Sequence, residues 1–287
     1  STAGDTEVEA IFQMAVELPS HVEAIVAIGG GKAIDIGKYL AFLKRLSLFS
    51  VPTAVSNDGF CSPMASLTVR GKKTSFRVEL PQAVIVDTEV LQKAPVKFLY
   101  SGMGDLFCKI TSVYDWKLAY RRTKEPVNDF AANMARSAAD TFLYYDEKRL
   151  DNPDFLRVIA TSLMMSGIAM EVARSSRPAS GSEHLISHAY DKVAEKPSLH
   201  GLQVGVASYA VSLLQEKTEP LIRKAIEESG FLAFMRENPL SLATFREAVK
   251  LAPQMKENYY TILSEKGSVE KLLSLLEENE ILRSMLK

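Results

Sequence analysis

The 287-residue chain is 47% hydrophobic and 24% charged, the balance of an ordinary globular protein with a sizeable core. Its 34 Lys and Arg stand against 35 Asp and Glu, a formal net charge of -1, so no global basic field points to nucleic acid or an anionic membrane surface. No run of 18 apolar residues marks a membrane span, and two cysteines make no disulfide framework.

The polar N-terminus, STAGDTEVEA, does not read as a signal peptide. A cytoplasmic protein with free, buried Cys61 and Cys108 is the expectation. Val8, Ile11, Phe12 and Val16 recur at helical spacing and predict a helix over 5–18. AIVAI (24–28) is a short apolar run ending in glycine and reads as a buried parallel strand. A helix follows over 32–46, then a strand over 48–55 with Pro52 near its end. Residues 65–80 alternate apolar and polar on both sides of RGKK and predict a hairpin. AVIVD (83–87) is a further buried strand. Beyond residue 90 helical patterns take over, at 105–122, 126–148, 153–173, 201–216, 218–228 and 240–251, with one or two amphipathic helices at the C-terminus. The expected organisation is a small α/β domain over 1–95 and an all-helical domain over 96–287.

Gly29, Gly30 and Gly31 fall where a strand becomes a helix. Glycines there let a ligand approach the backbone, and free N–H groups at a helix start suit a pyrophosphate. The dinucleotide fingerprint G-x-G-x-x-G needs a further glycine at 34, which is Ile34. The turn alone does not decide between a phosphate site and a tight corner, and Asp35 and Lys38 by themselves read as helix surface.

The chain has four histidines, and three lie within 17 positions: His184, His188 and His200. His184 and His188 are spaced i, i+4 and share one face of a helix. His200, between Pro197 and Gly201, sits at a helix entrance. Asp105 is placed similarly, after Gly102 and Gly104. A lone histidine is most often a hydrogen-bonded structural residue. A set drawing on three of four, flanked by glycines, points to a metal. One Asp and two His suit Zn²⁺ with an open fourth position. No C-x-x-C pair suggests a structural zinc ribbon.

In order along the chain, GGGKAIDIGKYLA (29–41), SVPTAVSNDGFCSPMASL (50–67), VIVDTEVL (84–91), SGMGDLFCKITSVYDWKLA (101–119), SSRPASGSEHLISHA (175–189) and LHGLQVGVA (199–207) resemble the iron-containing/glycerol dehydrogenase superfamily, which includes dehydroquinate synthase. SNDGFCSP and SRPASGSEH favour its glycerol-phosphate branch. The resemblance implies a parallel Rossmann-like sheet with a β-hairpin, followed by an all-α domain. Members of the family begin with an additional strand–helix–strand segment, and this chain starts at the helix that would follow it. The first strands of the sheet are therefore expected to be missing, and NAD cannot be told from NADP.

The resemblance also implies a set of site residues. Gly29, Gly30 and Gly31, with Lys32 and Asp35, would lie along the NAD(P) pyrophosphate. Ser56, Asp58 and Ser62 would border the nicotinamide and substrate. Asp105, His184 and His200 would ligate a divalent metal, usually Zn²⁺, with Ni²⁺ an alternative. His188, Asp58 and Lys109 would stand near the chemistry. Lys109 has a second reading as an exposed helix-face lysine. Arg177 would bind the substrate phosphate through its planar fork, or else form an ordinary loop ion pair.

The implied reaction is reversible reduction of dihydroxyacetone phosphate to sn-glycerol 1-phosphate. The alternatives are a polyol dehydrogenase with no phosphate requirement, a dehydroquinate-synthase-like lyase, and a metal-binding chain with an incomplete cofactor site. The lyase reading is disfavoured, because that branch has a Glu ligand where this chain has Asp105. A small-molecule polyol phosphate is the expected partner, and homo-oligomers are expected because the family's helical domains commonly associate.

Overall fold

The computed structural model describes residues 6–287. Helix α1 (Val8–Glu17) forms where the apolar spacing predicts, but it buries Ile11 and Ala15 while Phe12 and Val16 stay exposed; residue 5 of the predicted helix lies outside the described residues. Strand β1 (Ala24–Gly29) leads into α2 (Gly31–Lys44), and β2 (Ser47–Pro52) follows. β1 and β2 pair in parallel, with Ala24 opposite Ser47 and Gly29 opposite Pro52. A two-residue strand β5 (Ala83–Val84) completes a sheet of order β1-β2-β5. The hairpin is β3 (Met64–Val69) and β4 (Lys72–Arg77), turned through Arg70 and Gly71 at positive φ.

The strand predicted over 83–87 is thus shorter than its apolar pattern suggests. Asp87 accepts hydrogen bonds from the Glu89 and Val90 N–H groups and caps the next helix, α3 (Thr88–Lys93). The capping carboxylate ends the strand by beginning the helix.

Lys38 also differs from expectation. It is fully buried on α2 rather than on the helix surface. Its ammonium donates to the carbonyls of Gly59 (2.6 Å), Ser62 (3.4 Å) and Met64, and pairs with Asp35 at 3.1 Å. A buried lysine needs such partners, and here it pins the chain between β2 and β3 onto α2.

From Thr88 onward the described residues are helical: α4 (Val96–Thr123), α5 (Asp129–Leu143), α6 (Pro153–Ala173), α7 (Ser182–Val193), α8 (His200–Gln215), α9 (Glu219–Glu228), α10 (Phe231–Glu237), α11 (Leu242–Leu251), α12 (Ser268–Glu278) and α13 (Glu280–Met285). α6 begins where the sequence predicts, because Asn152 caps it and Pro153 opens it. By length and composition it could cross a membrane, yet Phe155, Leu156, Ile159 and Leu163 are wholly buried inside the protein. α4 packs along α8 and α5 along α6, and Phe107, Phe142, Phe155 and Phe231 fill the core between them. Both cysteines are free and buried.

Candidate active site

Three helices bring one ligating group each to a single point: Asp105 from α4, His184 from the first turn of α7, and His200 from the first residue of α8. The crossing of α4 and α8 depends on glycine. A Cβ on Gly104 would stand 2.0 Å from the Gly201 carbonyl oxygen, and one on Gly201 would stand 1.8 Å from that of Ser101. Any side chain would push the helices apart and separate Asp105 from His200. Gly102 and Gly104 therefore serve close packing inside α4, which starts at Val96, and do not form a turn before residue 105. Ser101 reinforces the crossing by accepting from the Gly201 N–H (3.1 Å) and donating to the Ser56 carbonyl (2.8 Å).

His184 Nε2 lies 3.2 Å from His200 Nε2 and 3.8 Å from Asp105 Oδ1, and the ligating atoms of all three residues fall within 4.8 Å of one another. The other ring nitrogens are engaged elsewhere. His184 Nδ1 faces Glu183 Oε1 at 3.2 Å, and His200 Nδ1 faces Ser187 Oγ at 3.1 Å. A carboxylate only accepts, so the His184 ring proton belongs on Nδ1 and its Nε2 presents a lone pair. His200 can meet that lone pair with a neutral Nε2–H or, if its own ring proton sits on Nδ1, only across a positive charge between the two rings. Protonation is a poor way to supply it, since burial, then the neighbouring His184, hold the His200 pKa well below its ordinary value. The donor set fits a divalent cation.

Asp105 is prepared for that role. Burial pushes its carboxyl up, but Lys109, His184, His200 and the Asp58 N–H together outweigh burial and hold it below the ordinary value. Asp58 N–H donates to Asp105 Oδ2 at 2.9 Å, and Lys109 Nζ lies 3.2 Å from Asp105 Oδ1. Lys109 is 0% exposed, and its ammonium also pairs with Asp58 Oδ2 at 3.0 Å. Burial pushes its pKa down, yet the two carboxylates lift it well above the ordinary value. Lys109 is thus neither an exposed helix-face lysine nor a substrate-facing one. It is an internal counter-ion behind Asp105. The Asp58 carboxylate is likewise occupied by Lys109 and by Ser166 Oγ at 2.7 Å.

His188 is the remaining member of the cluster. It is exposed, with its ring centroid 6.2 Å from that of His184 and 6.1 Å from that of His200. Protein surrounds it on most sides, and desolvation, then the His184 charge, pulls its pKa down to about 4. It offers a neutral imidazole on the open side of the ligand set.

Arg177 is not brought to this cluster by any contact in the structure. It is buried, with Glu125 gripping Nε (2.7 Å) and Nη2, the Tyr260 carbonyl accepting from Nη1 (2.8 Å), and the Tyr259 ring 3.5 Å below the guanidinium. A guanidinium whose charge is met by a bidentate carboxylate is a structural clamp, not a free phosphate receptor.

The glycine turn is separate in character. Gly29 takes φ +146°, and Gly30 caps α2 with no side chain. A Cβ on Gly30 or Gly31 would meet nothing within 4 Å, so the start of α2 opens onto free space. Lys32 is exposed beside it. Asp35 is turned inward to Lys38, and Ser62 is buried beneath the same lysine, its carbonyl 3.4 Å from Nζ. The Asp35 side chain does not face the open start of α2, contrary to the expectation from resemblance. The Gly29 carbonyl accepts from Thr53 N–H at 2.9 Å, and from there the chain runs through Ser56 to Asp58, the residue that contacts Asp105. The two halves of the candidate site are joined by this one segment, at the carboxyl ends of β1 and β2 where α/β sheets place their ligands.

Glu183, Ser187, Ser166 and Gln203 complete the network and were not singled out by sequence. Glu183 carried a signal, being the acidic neighbour of a candidate ligand; the others depend on helix packing that no local pattern encodes.

Residues 2–95 match the family model described as iron-containing alcohol dehydrogenase. The chain is 39% identical over 272 residues to the glycerol-1-phosphate dehydrogenase [NAD(P)+] of Staphylothermus marinus, covering 94% of this chain and 77% of that one. It is 37% identical to the protein of the same name from Methanosarcina barkeri, over 90% and 72% of the two chains. Among solved structures, a probable glycerol dehydrogenase from Sinorhizobium meliloti superposes with a TM-score of 0.74 at 19% identity, covering 96% of this chain and 83% of that one. Sulfoacetaldehyde reductase from Bifidobacterium kashiwanohense, in complex with NAD+, gives 0.70 at 18% identity over 98% and 82%. These two similarities concern the fold.

Proposed function

The chain belongs to the glycerol-1-phosphate dehydrogenase family of the iron-containing alcohol dehydrogenases, and from that membership we propose that it reversibly reduces dihydroxyacetone phosphate to sn-glycerol 1-phosphate with NAD(P)H. The observation that carries the reading is the convergence of Asp105, His184 and His200 from three helices, with the open glycine turn linked to Asp105 through Thr53–Asp58.

In this reading Asp105, His184 and His200 hold a divalent ion, with Zn²⁺ the best match to one carboxylate and two imidazoles. Bound there, the ion supplies Lewis-acid polarisation of the substrate's C2 oxygen, and the dinucleotide supplies the hydride. The protein's own residues do the rest. Lys109 and the Asp58 N–H keep Asp105 ionised. Glu183 fixes the His184 ring with Nε2 toward the ligand point. His188, neutral at pH 7, hydrogen-bonds the substrate on the solvent side and takes up or returns a proton at its ring nitrogen. Gly30 and Gly31 let the pyrophosphate approach the free N–H groups at the start of α2, with Lys32 beside them. We take residues 1–95 as the cofactor half and 96–287 as the metal and substrate half. The buried, unpaired thiols fit a reducing compartment.

His200→Ala tests the assignment. It should abolish both bound metal and turnover, with the fold retained by circular dichroism. Turnover that survives in a metal-free variant would falsify the reading.

A further inference from the structure

A hydrogen-bonded chain runs outward from His200, and each proton in it can be assigned from its neighbours. Gln203 Nε2 donates to Asp191 Oδ1 (2.9 Å) and to the Ser198 carbonyl (2.9 Å). Both partners only accept, so the amide nitrogen must point at them and Oε1 must point the other way. Oε1 then receives the Ser187 hydroxyl at 2.7 Å. A serine has a single proton, and this one is committed to Gln203. Toward His200 Nδ1, 3.1 Å away, Ser187 Oγ can only accept. The His200 ring proton is thereby placed on Nδ1, and the Nε2 lone pair is aimed at His184 Nε2 and Asp105.

We propose that Ser187 and Gln203, anchored by Asp191, are positioning residues that fix the tautomer and ring orientation of His200 for metal binding. Ser187 and Gln203 are buried, and reversing either would leave an acceptor facing an acceptor. His184 obtains the same result from its neighbour Glu183, a carboxylate; His200 obtains it from a neutral relay of two side chains. The relay ends at the surface, where Asp191 pairs with Lys73 of the β3–β4 hairpin at 3.2 Å. The inference rests on the metal-site reading above, and its test separates the two.

The experiment uses the full chain stripped of metal. Zn²⁺ affinity is measured by competition with a chelator, alongside ¹⁵N shifts of labelled histidine, which distinguish the two tautomers; four histidines keep the spectrum simple. Metal-free wild type should show His200 protonated on Nδ1. Ser187→Ala should weaken Zn²⁺ by about ten- to a hundredfold, a loss larger than the modest fall in metal-free melting temperature expected from removing one buried hydrogen-bond partner. Ser187→Thr, which keeps the hydroxyl, should recover most of the affinity. Gln203→Leu frees the Ser187 proton to turn toward Nδ1 and should populate the other tautomer; this variant and the wild-type spectrum carry the test if Ser187→Ala does not fold. An Nε2–H tautomer in the wild type, or wild-type Zn²⁺ affinity in Ser187→Ala, overturns the proposal. A wild type that binds no Zn²⁺ yet shows the Nδ1–H tautomer overturns the metal-site reading and leaves the relay standing.

Discussion

The ligand cluster and the glycine turn make opposite use of the chain. Asp105, His184 and His200 are held by side chains: Lys109, Glu183, Ser187 and the Asp58 N–H each fix one of their atoms, in a region where almost every polar group is buried and paired. Gly29–Gly31 offer bare backbone and open space, with no side-chain cap on α2. Damage to the first region should therefore cost stability and chemistry together, whereas the second can be altered with little effect on the fold.

Lys109→Met gives the largest expected effect. It strands two carboxylates, Asp105 and Asp58, without their shared cation. Removing one partner of a buried ion pair costs about 3–5 kcal/mol, read as a lower urea midpoint, and bound metal should fall with it.

Asp115 probes the support beneath α7. It is buried, accepts from the N–H groups of Ser182 and Ile262, and is pushed up to about 7 by burial and then by Glu183. The unfolded carboxyl titrates near about 3.9, so between about pH 4 and 7 the native state binds the extra proton and stability falls as pH rises through that window. Asp115→Asn carries no charge and should flatten this slope in urea titrations, at a roughly pH-independent cost from the amide NH2 that then faces one of the N–H donors. A parallel pH dependence for both proteins would contradict the assignment.

Gly31→Ala separates the regions most cleanly. The added methyl meets nothing and relieves a helical glycine, so stability should hold or rise by up to about 1 kcal/mol. Cofactor affinity should nonetheless drop by about tenfold as the backbone becomes less approachable, with metal content unchanged. Equal losses of metal and cofactor would erase the contrast.

The smallest effect belongs to Lys73→Ala. Its ion pair with Asp191 is exposed on the lysine side, and such pairs contribute about 0–1 kcal/mol. Metal affinity should change by less than about threefold, since the loss acts at the far end of the relay.

The same contrast explains what the sequence made legible. Apolar runs and periodicity located the strands, the hairpin and most helices, although Val26 and Ile28 of β1, read as buried, and Phe12 and Val16 of α1 are exposed. The two histidines of the proposed ligand triad stood out because histidines are scarce and cluster, and Asp105 because it follows two glycines. Lys38 and, on its second reading, Lys109 look like surface lysines in sequence, and only the fold reveals the carbonyls and carboxylates that let them be buried; Arg177 forms the ion pair of its second reading, with Glu125, but inside the protein. Gly102 and Gly104 misled because a glycine for close packing, against the Val55 carbonyl or the crossing helix α8, and a glycine for a turn are identical as letters. Ser187 and Gln203 gave no signal, since their roles exist only where α7 and α8 meet.

The most direct test is oxidation of NADH and NADPH by metal-stripped protein with dihydroxyacetone phosphate, before and after Zn²⁺ is restored. The account predicts no oxidation without metal and full recovery with it. Equal rates in both states, or no oxidation by folded, Zn²⁺-loaded protein with either cofactor, would contradict it.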